Sequence, residues 1–216
     1  MYIIAIDMAS GGSVATKRMQ TIMNLRDNLK RMINADHSTR CGGHVNISST
    51  LYSAHEMLEG LSSFFPLLYA LYDGRLEEGG YSPPKEKWKY HNDSGYAAVK
   101  LRGNRSHGAN VYGLVELRIF SAVRNVSNLK WRRDLVRLFI ENFGKSEKDV
   151  LRLLVNPKSK LFRHLLKVYD VDRIVRKIGQ FVSFTKQYNH KVLSMPDLNE
   201  LTAKLKKQVS TDELGA

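Results

Sequence analysis

Two short stretches hold residue types that could do chemistry together. In Gly43-His44-Val45-Asn46-Ile47-Ser48 an imidazole, an amide and a hydroxyl recur at every second position, and Val115-Glu116-Leu117-Arg118-Ile119 repeats the pattern with a carboxylate and a guanidinium. Side chains alternate along a strand, so His44, Asn46 and Ser48 share one face and Val45 and Ile47 the other. Glu116 and Arg118 are set apart in the same way from Val115, Leu117 and Ile119. A carboxylate inside an apolar strand must be paired or bound to metal, because an isolated buried charge is costly. If the two polar faces line one cavity, they bring a ring nitrogen, carboxylate oxygens, an amide and a cation to one place. That set could hold a metal ion on the carboxylate. An ion pair between Glu116 and Arg118 is the purely structural alternative.

The rest of the chain must position these rows. Tyr2 to Ile6 reads as a buried strand ending at Asp7, and Met19, Ile22, Met23, Leu25, Leu29 and Met32 fall at helical steps between Arg18 and Ile33. Gly42 and Gly43 read as a turn entering the His44 strand. Thr50 can cap a helix running from Leu51 towards Tyr72, which Pro66 should kink or split. Asp73 to Asp93, with Pro83-Pro84 and the cluster Lys85, Lys87, Trp88 and Lys89, reads as a long loop. Tyr96 to Leu101 is a strand, followed by a basic loop in which Arg102 could grip a phosphate or carboxylate in a fork of donors. Val111 to Val123 is the strand bearing Glu116. Beyond it the pattern is all helical: Ser127 can cap a helix to Phe143, and Ser146–Val155, Lys158–Tyr169 and Val171–Tyr188 follow. A last helix starts at Asp197, with Glu200 completing a capping-box pattern. The expected fold is α+β, an antiparallel sheet cupping a cavity with helices on its other face. Residues 1–124 would form a compact α+β domain and residues 125–216 a basic helical region packed on it.

Composition narrows the classes. With 216 residues and 43% apolar content the chain can bury a full core. No apolar run reaches the roughly 18 residues of a membrane span, and the N-terminus does not read as a secretory leader. With Cys41 the single cysteine, no internal disulfide forms, and a cytoplasmic location is the expectation. The sequence has no GxxxxGK[ST] phosphate loop, CxxC pair, HExxH helix or GxSxG elbow. The net charge of +13 is uneven: residues 1–122 hold 14 Lys and Arg against 11 Asp and Glu, and residues 123–216 hold 20 against 10. A helical half so basic favours anionic partners: a nucleotide, a nucleic acid or an acidic protein. Tyr169, Phe181, Phe184 and Tyr188 could stack on bases there, although their helical spacing fits core packing.

Cys41-Gly-Gly-His-Val-Asn-Ile, then Arg102-Gly-Asn, then Val115-Glu-Leu-Arg-Ile-Phe ahead of a helix resembles the amidoligase family of the carboxylate–amine ligase superfamily. The similarity spans roughly residues 10 to 140. The resemblance implies an antiparallel sheet that cups ATP and magnesium, and a reaction in which ATP activates a carboxylate that an amine then attacks. It implies His44 and Glu116 as metal or phosphate ligands, and Arg118 and Arg102 as groups binding phosphate or substrate carboxylate, with Asn46 on the nucleotide side. Three departures stand out. Asn46 replaces the family's second strand histidine, the family's Glu-rich first strand has no counterpart, and in the segment that follows it, matched by Ser13 to Arg18, Ser13 stands where a carboxylate is usual. The sequence therefore leaves three expectations: a divergent ligase, a ligase-type fold that has lost catalysis and binds nucleic acid through its basic helices, or a module docking on an acidic protein.

Overall fold

Three antiparallel strands carry the polar rows. The computed structural model describes residues 3–5, 42–73, 98–102, 114–121 and 125–214. Within it, β1 (Ile3–Ala5), β2 (Gly42–Ser48), β3 (Val99–Arg102) and β4 (Leu114–Ser121) form one sheet in the order β1-β2-β4-β3. β4 is central and runs antiparallel to β2 and β3, and the short β1 lies parallel to β2 at the edge. The expected α+β class with an antiparallel sheet is what the chain forms. The proposed helix over residues 18–33, Asp7, Ser13, Cys41, the loop cluster Lys85, Lys87, Trp88 and Lys89, and the loop after Arg102 lie outside the described residues.

Val45, Ile47, Val99, Val115, Leu117 and Ile119 are buried and form the sheet's contribution to the core. The first helix that packs on them begins later than the sequence suggests. Ser53 rather than Thr50 is the N-cap: its hydroxyl accepts from the Glu56 amide, and the Glu56 carboxylate accepts from the Ser53 amide. This reciprocal box satisfies amides that an unfinished first turn leaves open, and Thr50 has no acidic partner three residues on. α1 then spans Ala54–Leu61 and a 3-10 turn Ser62–Phe64, before α2 runs Phe65–Leu71 with Pro66 in its first turn. The split expected at Pro66 is present. A proline there gives up an amide that the helix start does not need.

The second half is helical as expected: α3 (Val126–Glu141), α4 (Glu147–Leu154), α5 (Lys160–Leu166), α6 (Val171–Asn189) and α7 (Leu198–Leu214). Asn125, not Ser127, caps α3 by accepting from the Asn128 amide at 2.8 Å. Gly144, at φ +76°, follows α3 in the left-handed conformation that glycine adopts without strain. α6 buries Val171, Ile174, Val175, Ile178, Phe181, Val182 and Thr185, a stripe at three- and four-residue steps. It packs against the fully buried α2, and Asp73 at the end of α2 accepts from both Lys177 and Gln180 of α6. Phe181 is buried, and Phe184 and Tyr188 meet Tyr69 edge-on, so these aromatics are core. One apolar cluster runs from the sheet through α2 to α6 and α7.

Candidate functional site

Strand pairing assembles the polar face that the sequence implies. Asn46 on β2 lies opposite Glu116 on β4, and Lys100 on β3 lies opposite Glu116 from the other side. Directly paired residues project to the same face, so Lys100, Glu116 and Asn46 form one row across three strands. His44 precedes this row on β2 and Arg118 follows it on β4. The imidazole Nδ1 is 2.8 Å from Glu116 Oε1, a charge pair when the ring is protonated. Glu116 is only 3% exposed, so the sheet buries a carboxylate with a basic group against it. His44 is thus a neighbour of Glu116, a role the sequence pattern offers to Arg118.

The alternation read from sequence breaks between Leu117 and Phe120. Val45 pairs with Leu117 but Gly43 pairs with Phe120, so a register shift leaves Arg118 and Ile119 together opposite His44. An extra residue of this kind turns the following side chains over. Ile119 and Phe120 are accordingly both buried, and Phe120 meets the ring of Tyr72 edge-on at 5.1 Å.

Behind the shift sits Arg132 of α3, 3% exposed. Its guanidinium donates to the Ser121 carbonyl and hydroxyl and lies over the rings of Phe120 and Tyr72, 5.6 and 5.8 Å from their centroids. Burial pushes the Tyr72 phenol far above its ordinary range, opposed in part by this guanidinium. The Ser121 carbonyl and Arg132 together explain the glycine before His44. A Cβ on Gly43 would stand 2.9 Å from the Ser121 carbonyl oxygen and 3.2 Å from Arg132 Nη1. Gly42 and Gly43 therefore belong to the strand itself, and not to a turn before it, with Gly43 making room for a cation from the helical layer.

Asn46 bears on ligand binding most directly. Its Oδ1 is sealed from solvent and has no hydrogen-bond partner among the described residues. A buried amide oxygen left without a donor is costly and calls for an explanation, a bound water, ion or ligand group being one. Among the described residues no three His, Cys, Asp or Glu side chains come together as a metal cluster. Of the candidate ligands, His44 and Glu116 are side by side. Arg102 ends β3 opposite Leu114, two residues beyond Lys100.

Lys100 and Arg132 were not singled out from the sequence. A lysine inside the apolar run Ala98-Val99-Lys100-Leu101 was a legible signal for the first. Arg132 lies three and four residues before Leu135 and Val136 on the apolar side of α3, a signal available at helical period for the second.

A different polar feature belongs to the helical layer. Arg133, Arg137, Lys160, Arg163 and Lys167, with Asp134, Glu141, Leu138 and His164, line an open groove of about 620 Å³ between α3 and α5. His164 and Trp131 join its walls: the Trp131 indole N–H donates to the His164 carbonyl, His164 Nε2–H donates to the Trp131 carbonyl at 2.9 Å, and the rings stack. Burial holds the His164 imidazole below its ordinary value of 6.5.

Comparison with protein-family models, curated proteins and solved structures finds no match.

Proposed function

We propose that the polar sheet face binds nucleotide phosphates together with a carboxylate substrate, as in a divergent ATP- and magnesium-dependent carboxylate–amine ligase. The observation that carries this reading is the row Lys100–Glu116–Asn46, flanked by His44 and Arg118 and containing the unpartnered Asn46 Oδ1. Such a row offers a carboxylate for a hard cation, cations for phosphate oxygens, and an amide that both donates and accepts. Magnesium commonly keeps several waters and is held by one or two carboxylates plus the phosphates of the substrate. One buried carboxylate suits that mode, so Glu116 would hold the metal, with His44 beside it orienting its oxygens. The metal would neutralise phosphate charge. Lys100 and Arg118 would balance the remaining negative charge as it shifts from substrate carboxylate to phosphate, and Arg102 would grip the carboxylate end. Asn46 would fix the ligand's orientation through its free carbonyl oxygen.

That Glu116 is the one carboxylate in this row among the described residues also favours a second reading: the face keeps nucleotide binding but no longer turns substrate over. Both readings require binding. Calorimetric titration of ATP with magnesium at low salt should show saturable binding that falls at least tenfold in Glu116→Ala and weakens in Arg118→Ala. An absence of heat with ATP and magnesium together would overturn both readings.

A further inference from the structure

The groove between α3 and α5 is a second candidate site, on the helical layer and independent of the sheet face. On α3, Arg133 and Arg137 are one turn apart; on α5 and its C-cap, Lys160, Arg163 and Lys167 recur at steps of three and four, so each helix presents one basic ridge. All five are exposed. Asp134 and Glu141 partly offset them, through an Arg133–Asp134 contact of 2.7 Å and a Lys160–Glu141 contact of 3.3 Å. Five cations against two carboxylates leave the groove a surplus of three positive charges. The reciprocal Trp131–His164 bonds tie α3 to α5 beside it and so link the two ridges.

The chemistry of the lining selects among anionic partners. Protein partners are anchored by large apolar or aromatic side chains buried at the centre of the contact. Leu138 is the one apolar side chain lining this groove, and it is already buried. Three of the five cations are arginines, whose planar forks match phosphate oxygens two at a time. We infer that the α3–α5 groove binds the phosphodiester backbone of a nucleic acid. The contact reads charge and spacing and not base sequence, since no exposed aromatic or amide side chain lines the groove to meet base edges.

The test is fluorescence anisotropy with a fluorescein-labelled 20-nucleotide single-stranded RNA of mixed sequence, repeated with single-stranded and duplex DNA to distinguish the sources of the backbone. Binding to the full chain is followed from about 50 to 200 mM salt. One triple variant neutralises the groove (Arg137→Gln, Arg163→Gln, Lys167→Gln). A charge-matched control neutralises exposed cations outside it (Arg176→Gln, Lys204→Gln, Lys207→Gln). The groove triple should weaken binding at least tenfold and make the slope of log affinity against log salt shallower by about 2 for single strands, at ~0.7 per phosphate that is no longer neutralised. The control should weaken it less than threefold. Circular dichroism establishes that both variants are folded. Equal effects of the two triples would reduce the affinity to net charge and overturn the assignment. So would an absence of binding at 50 mM salt, or displacement of the RNA by poly-glutamate at equal charge concentration, which would point to an acidic protein instead.

Discussion

His44 and Glu116 were legible as residues in sequence, since a carboxylate in a strand of Val, Leu and Ile needs a reason, but their contact was not. It depends on the register between β2 and β4, which alternation alone does not fix. Gly43 was legible only as a turn former. Its actual constraint is the Ser121 carbonyl oxygen, 2.9 Å from where a Cβ would stand, with the Arg132 guanidinium next at 3.2 Å. Gly43→Ala should therefore destabilise the protein by about 1–3 kcal/mol, the usual cost of forcing atoms into a packed site. Chemical denaturation of the variant checks it, and a stability within 0.5 kcal/mol of wild type, on the order of a neutral surface change, would mean that the Ser121 carbonyl and Arg132 do not close this position to a side chain.

At the scale of elements, the sequence shows helix interiors well and helix starts less well. Leu135, Leu138 and Phe139 of α3 and the stripe of α6 follow from spacing, whereas the caps depend on which of several Ser, Thr and Asn residues finds an amide to accept from. At α1 and α4 that choice is made by a reciprocal acid three residues on: Ser53 with Glu56, Ser146 with Asp149. The backbone and side-chain hydrogen bonds from Ser53 hold Glu56 below its ordinary value of 4.5, and the Ser146 hydroxyl holds Asp149 below 3.8. Acids with lowered folded values stabilise the fold when ionised. Their contribution is full above those ordinary values and is lost as pH falls through the lower folded ones. Ser53→Ala and Ser146→Ala should each cost about 1 kcal/mol at neutral pH. The gap between each variant and wild type should narrow as pH falls below about 4, in urea denaturation series run from pH 7 to pH 3. A gap that stays constant with pH would show that the acids play no part in the caps.

For the whole molecule, the change from mixed α and β to helix near residue 123 is real in the order of elements, yet the core does not divide there. Val45, Leu117, Leu68, Phe181 and Leu205 belong to one apolar cluster, with α1 packed on the sheet and α2 fully buried against α6. The change of pattern is visible in the sequence but this sharing is not, because the contacts join residues far apart along the chain. Phe181→Ala should lower stability by about 3–5 kcal/mol, and fluorescence and circular dichroism should still report one coincident transition. Two separated transitions would show that the sheet and the helices unfold as independent units. Among the described residues no helix is long and apolar enough to cross a membrane. The central claim, that the sheet face binds a nucleotide with its metal, is tested most directly by thermal unfolding with ATP, magnesium, and both together, in wild type and in Glu116→Gln. Ligand at about 100 times its dissociation constant should stabilise the wild type by about 2.7 kcal/mol. The account predicts that shift only when ATP and magnesium are both present and its loss in Glu116→Gln, and an equal shift in the two proteins, or none in either, would contradict it.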